Sequence, residues 1–423
     1  MNSSSNGEQA PNLTHPKYRP DIDGLRAVAV LLVVGFHAFP DWVKGGFIGV
    51  DIFFVISGFL ISTIIFENLE RNSFSFIEFY SRRIRRIFPS LLVILVASFA
   101  LGWFTLLPDQ YKQLGKHIAG GAGFVSNFVL WNESGYFDSA AETKPLLHLW
   151  SLGIEEQFYI VFPLLLWLAW KRRFNLLAIT VAIALISFGL NISKYRSDAV
   201  ADFHSPQTRF WELMIGAVLA YTQLGKQDIF AQLKRRLDHW LGMAVHAHRQ
   251  EPNRSNLRNA QSILGAMLIV VGAVVVTKED HFPGWWALLP TLGAVLVISA
   301  GAQAWINRWI LSNRILVWFG LISFPLYLWH WVLLSFAHIN EGGIPISQIR
   351  ITAVLVSIVL AWLTYTLVEK PLRFGKHSNA KTIALFVLMS VVGGVGYSTY
   401  ARSGLPFFCS KGHTRVCSVQ IRR

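Results

Sequence analysis

Arg26 and His37 lie eleven positions apart in the otherwise apolar run DGLRAVAVLLVVGFHAF. In a helix, eleven residues turn through about 1100°, roughly three full turns, and rise about 16 Å. Both side chains therefore share nearly one face. An ionisable group inside a membrane-spanning run is costly and marks a functional position by default. A neutral imidazole is the usual general base near neutral pH, and a guanidinium binds anions through a fork of donors. The pair calls for an elongated ligand, charged at the Arg26 end and reactive at the His37 end. The competing readings are a core histidine bonded to a neighbouring helix, and an arginine snorkelling from the end of its span. Asp21 and Asp23 are the nearest candidate partners of Arg26.

Three further constellations could carry chemistry. The run FYSRRIRRIFPS holds Arg82, Arg83, Arg85 and Arg86 between the second and third apolar runs, with Pro89 read as a helix start or turn. Several guanidiniums together suit a polyphosphate; a basic cap that merely orients the chain is the alternative. In PLLHLWSLGIEEQFYIVFP, His148 lies just outside an apolar run, and Glu155 and Glu156 lie within it. Arg209 and Glu212, in TRFWELMIGA, approach from the same side. Structural ion pairing and sugar binding weigh equally for these groups. In ISFPLYLWHW, Tyr327 and His330 fall about 18–22 Å along their span if it is a straight helix. An aromatic belt would explain Tyr327 but not His330.

The elements that must position these groups are membrane helices. The chain has 423 residues, 53% hydrophobic and 15% charged, with a mean hydropathy of +0.43 and a formal net charge of +14. That balance excludes an ordinary soluble enzyme. Apolar runs fall near 25–40, 46–67, 88–107, 150–170, 174–190, 207–222, 261–277, 284–300, 315–337, 349–368 and 381–400, giving about eleven transmembrane helices in an all-α integral membrane fold. The Gly-rich stretch 118–131 reads as a re-entrant or interfacial helix. Lys and Arg concentrate in alternate loops, which places the N-terminus in the cytoplasm and the C-terminus outside. The first 24 residues are polar and lack the apolar core of a signal peptide, with 1–19 read as a polar cytoplasmic N-terminus. The insertion 223–260 reads as a cytoplasmic amphipathic helix plus loop, and the polar loop 369–380 separates the last span from the main bundle. No Cys or His spacing resembles a zinc site, so no metal is expected.

The signatures DGLRAVAVLLVVGFHA, GVDIFFVISGFLI, FYSRRIRRIFP, HLWSLGIEEQFYIVFP, RFWELMIGA, ISFPLYLWHW and VEKPLR occur in order over roughly 20–373. As an ordered set they resemble the acyltransferase-3 family of integral membrane O-acyltransferases. The resemblance implies a ten-helix bundle in the bacterial inner membrane. It also implies transfer of an acyl group, usually acetyl from acetyl-CoA, to a hydroxyl of an extracytoplasmic glycan. Lipopolysaccharide O-antigen is the foremost acceptor expected, with peptidoglycan and exopolysaccharide as alternatives. The resemblance makes His37 catalytic and ties Arg26, Arg83 and Arg86 to the donor; Arg82 and Arg85 join them as members of the same cluster. Glu155, Tyr327 and His330 are then candidates to stabilise the oxyanion or position the sugar, and His148, Glu156, Arg209 and Glu212 to bind the acceptor. A transporter moving acyl groups or glycolipids without bond chemistry is the alternative function.

Family members bearing a periplasmic SGNH-type domain have an extra span after the bundle, and the span 381–400 is similar. The tail 401–423 is too short to bury a core and reads as a truncated linker to such a domain, leaving room for a separate SGNH-type partner. Cys409 and Cys417 in that tail could pair outside the cytoplasm, an accidental sequence being the alternative.

Overall fold

The computed structural model describes residues 18–134, 140–224, 255–374 and 378–403. The described residues are 82% helical and hold no strand. In order the helices are α1 (Pro20–Ala38), α2 (Gly49–Glu70), α3 (Phe76–Thr105), α4 (Pro108–Ala122), α5 (Ser126–Glu133), α6 (Leu149–Lys171), α7 (Leu176–Lys194), α8 (Ala199–His204) and α9 (Pro206–Leu224). They continue as α10 (Ser255–Val275), α11 (Leu288–Ala300), α12 (Arg314–Leu321), α13 (Ser323–Glu341), α14 (Ser347–Arg373) and α15 (Ser378–Ala401).

The protein is an all-α multi-pass membrane protein. Among the described residues, seven helices are long and apolar enough to cross a bilayer, or eight if α12 and α13 form one bent span. α1 falls outside that group because Asp21, Asp23 and Arg26 crowd its first two turns, and α9 because Arg209, Glu212 and several polar residues dilute it. Run 284–300 yields only the 13-residue α11, about 20 Å of helix against a hydrocarbon core of about 30 Å.

Two expectations about local structure are corrected. Pro89 is neither a helix start nor a turn: Ser75 caps α3, its Oγ accepting from the Glu78 amide, and the helix continues from Phe76 through the arginines, with Pro89 inside it. The run 315–337 is not straight either, since α12 and α13 meet at 67°. Pro325, in the first turn of α13, cannot continue α12 because its ring would meet the carbonyl four residues back. The depth inferred for Tyr327 and His330 from a straight helical rise therefore does not hold. The stretch 118–131 is divided between the end of α4 and α5 by a turn at Gly123–Val125, with Phe124 at φ 55°.

Small residues let the helices approach closely, as membrane helices require in the absence of a strong hydrophobic drive. A Cβ on Gly58 of α2 would lie 1.9 Å from the Leu213 carbonyl oxygen of α9, and one on Gly216 would lie 2.2 Å from that of Val55. The last span is not separate in space: α15 packs on α3 and α4, where a Cβ on Gly115 would lie 2.7 Å from the Gly396 carbonyl oxygen. The stretch 369–380, expected as a separating loop, is helical at 369–373 and 378–380. The expectations for residues 1–17, for most of 223–260 and for Cys409 and Cys417 lie outside the described residues.

Candidate functional site

α1 is an unbroken helix from Pro20 to Ala38, so Arg26 and His37 do sit on one rod, His37 in its last turn. His37 Nδ1 lies 2.9 Å from His330 Nε2, and the two rings stack with centroids 5.2 Å apart and planes 14° apart. His330 is fully buried, and its Nδ1 lies 3.1 Å from the Leu326 carbonyl. A carbonyl can only accept, so His330 Nδ1 donates. In a neutral ring that leaves His330 Nε2 as an acceptor. His37 Nδ1–H must then be the donor between the rings, and His37 Nε2 carries the free lone pair. This is the nucleophile-or-base arrangement in which a second group fixes the tautomer of the first. Trp331 packs edge-on against His37, with ring centroids 4.5 Å apart.

Tyr327, one turn before Trp331, donates its hydroxyl to the His148 carbonyl at 2.9 Å and contacts Ser151 Oγ at 2.7 Å. Its proton is committed to the main chain. His148 itself is buried, its ring 5.4 Å from that of Tyr327 and 6.2 Å from that of His330. Glu155 accepts from Ser57 Oγ and Tyr159 Oη. Glu156 is buried, and its Oε1 has no hydrogen-bond partner among the described residues.

At the other end of α1 lies a cavity of about 1090 Å³. Its wall carries Arg19, Arg26, Arg82, Arg83, Arg85, Arg86 and Arg373 against only four acids, Asp23, Glu67, Glu78 and Glu369. Arg82 is paired with Glu78, Arg373 lies 3.5 Å from Glu369, and Arg26 is 3.6 Å from Asp23. Asp21, expected beside Arg26, pairs with Arg19 at 2.7 Å instead. Arg83 Nε is buried with no partner among the described residues. A narrower cavity of about 100 Å³ shares Arg26, Arg83 and Arg86 in its wall and reaches Ser57, Glu155, Glu156, Tyr159 and Tyr327. Helical geometry explains the division: Arg83 and Arg86, three apart in α3, share a face and line both cavities, whereas Arg82 and Arg85 line only the outer one. An orphaned guanidinium donor in a basic cavity suits a phosphate-rich ligand.

Arg209 and Glu212 lie elsewhere. Both are fully buried together with Asp51 of α2, Arg209 contacting Asp51 at 2.9 Å and Glu212 at 3.1 Å, and neither lines the two cavities. The guanidinium is ringed by Phe54, Trp150, Phe203 and Phe282. The sequence reading passed over Asp51, although a charge inside GVDIFFVISGFL is itself a signal. It also gave no role to the Glu and Arg of VEKPLR. Glu369 and Arg373 line the outer cavity, and Ser90 Oγ donates to Glu369 at 3.2 Å. Glu369 ends a π-helical turn, Thr364–Glu369, a distortion frequent at functional sites.

Residues 19–368 match the model of the acyltransferase domain family, the acyltransferase-3 type. The chain belongs to that family. It is 32% identical over 371 residues to "Putative peptidoglycan O-acetyltransferase YrhL" of Bacillus subtilis (strain 168), covering 85% of this chain and 55% of that one. It is also 32% identical over 367 residues to "Peptidoglycan O-acetyltransferase OatA" of Listeria monocytogenes, covering 84% and 56%. The chain thus spans little more than half the length of these relatives. No solved structure matches it.

Proposed function

We propose that this chain transfers an acetyl group from acetyl-CoA to a hydroxyl of a cell-envelope glycan. The observation that carries the reading is the alignment along α1: a basic cavity with the buried, unpartnered Nε of Arg83 at one end, and a histidine with a free Nε2 at the other. Arg83 and Arg86, with Arg26, would take the donor's phosphates. The distance from Arg26 to His37, about 16 Å by helical rise, suits the pantetheine arm.

In the transfer, His37 Nε2 takes the proton of the acceptor hydroxyl while its oxygen bonds to the thioester carbonyl carbon. Collapse breaks the carbon–sulfur bond, and the departing sulfur takes the proton back from His37. The His330 contact holds His37 Nδ1–H throughout and supports the transient imidazolium. The Arg26 end of α1 would face the cytoplasm, where acyl-CoA is made, and the His37 end the exterior of the cytoplasmic membrane.

Of the acceptors expected from the resemblance, the relatives' names favour peptidoglycan over lipopolysaccharide O-antigen. The test is transfer of radiolabel from acetyl-CoA by the purified chain in lipid nanodiscs, offered peptidoglycan fragments or O-antigen polysaccharide. Label in a glycan supports the reading, and the acceptor that takes it identifies the substrate class. Uptake of label into neither, with the chain folded, overturns it.

A further inference from the structure

The structure assigns Trp331 a positioning role: it ties the segment Ala141–His148 across the histidine pair and so walls the acceptor side of the centre. The role rests on the acetyl-transfer reading above. Three side chains of α13, each four residues from the next, donate to main-chain carbonyls of this one segment. Tyr327 Oη reaches His148 O at 2.9 Å, Trp331 Nε1 reaches Lys144 O at 2.9 Å, and Ser335 Oγ reaches Glu142 O at 2.7 Å. Fourfold spacing puts the three donors on one face of the helix. The order of their acceptors shows that the segment runs antiparallel to α13, as a strap.

The strap is held on a second side as well. Lys144 Nζ lies 3.2 Å from Glu133 Oε2 of α5, and Glu133 is in turn held by Lys116 and His117, each at 2.8 Å. The strap buries Lys144, Leu146 and His148 almost completely.

The helix that holds the strap also carries His330. Trp331 joins the two parts directly: its indole N–H fixes the strap, and its ring packs on His37 at 4.5 Å. A thioester beside an activated base is open to attack by water, so a transferase must wall that base off. The strap lies where such a wall is needed, and Trp331 sets its distance from His37.

Trp331→Phe keeps an aromatic ring against His37 and removes the N–H donor. In the full chain in nanodiscs, two readouts are taken: hydrogen–deuterium exchange of peptides covering 140–148, and the ratio of acetyl-CoA hydrolysed to acetyl transferred. We expect faster exchange in the strap and a hydrolysis-to-transfer ratio raised roughly fivefold, the worth of one ordinary hydrogen bond. The KM for acetyl-CoA stays unchanged, because Trp331 does not line the arginine cavity. Ser335→Ala, which loosens the far end of the strap without touching His37, moves both readouts the same way by less. Wild-type exchange and partition in Trp331→Phe overturn the proposal; if that variant does not fold, unchanged exchange in Ser335→Ala does so. A wild-type chain that transfers acetyl to neither glycan nor water overturns the transfer reading instead, and the exchange data still decide whether the strap is tied by α13.

Discussion

His330 Nε2 lies 2.9 Å from His37 Nδ1 while the other nitrogen of His330 is engaged by the Leu326 carbonyl at 3.1 Å. The helix backbone thereby dictates the tautomer of one histidine, and that histidine dictates the tautomer of the other. His330→Ala removes this direction but leaves the base in place. We expect turnover to fall roughly tenfold, the equivalent of about 1.4 kcal/mol for one hydrogen bond, with KM for the donor unchanged. Steady-state kinetics on the reconstituted variant checks this. A wild-type kcat would show that the histidine contact is packing alone.

Arg83 and Arg82 are neighbours in sequence with different surroundings. Arg82 is engaged by Glu78, whereas Arg83 faces both cavities with a buried unpaired Nε. Loss of a charge-assisted bond worth about 1.5–3 kcal/mol corresponds to roughly 10- to 100-fold. Arg83→Ala should therefore raise KM for acetyl-CoA by that factor with little change in kcat, the mark of an interaction made equally before and in the transition state. Arg82→Ala should leave KM within a few-fold of wild type. The ranking is read from donor saturation curves of the two variants.

The Arg209 cluster calls for a different outcome. Arg209, Asp51 and Glu212 are fully buried away from both cavities. Removing one partner strands the others, at a cost of about 3–5 kcal/mol. Arg209→Ala should lower the melting temperature in detergent and the yield of folded protein. Where folded protein is recovered, KM for the donor should be that of wild type. A stable Arg209→Ala variant defective only in acceptor use would return this arginine to sugar binding.

Glu133 supplies a pH dependence outside the membrane spans. Burial alone would push its carboxyl up, but His117, Lys116 and Lys144 hold it well below the ordinary 4.5. A carboxyl depressed in the folded state contributes stability that is fully present above its unfolded value and is lost as pH falls toward its folded one. Melting temperature should therefore decline as pH drops below about 4.5, and Glu133→Gln should be less stable than wild type at neutral pH with a flatter acid limb. Parallel melting curves for the two proteins across that range are the check.

The legible parts of this site are those that depend on residues close in sequence. Arg26 and His37 share a continuous helix, so their separation and common face follow from helical geometry. The contact of His37 with His330 bridges 293 positions, and no periodicity encodes which helices pack together. The resemblance singles out Arg83 and Arg86, but a helix start or turn at Pro89 does not foresee the continuous helix whose three-residue spacing sends both to one face. Pro325 was visible in ISFPLYLWHW, but the 67° bend it accompanies depends on α12 packing against α1. Asp51 was equally visible; its meaning required Arg209, which arrives from α9.

The central claim is that His37 Nε2 handles the proton of the acceptor hydroxyl. The direct measurement compares wild type with His37→Ala, purified in nanodiscs, for transfer of radiolabel from acetyl-CoA to a glycan, with melting curves to establish that both are folded. The account predicts a folded variant whose transfer falls by roughly 10²–10⁴-fold, the usual share of a positioned general base. A folded His37→Ala protein that transfers acetyl at the wild-type rate would contradict it.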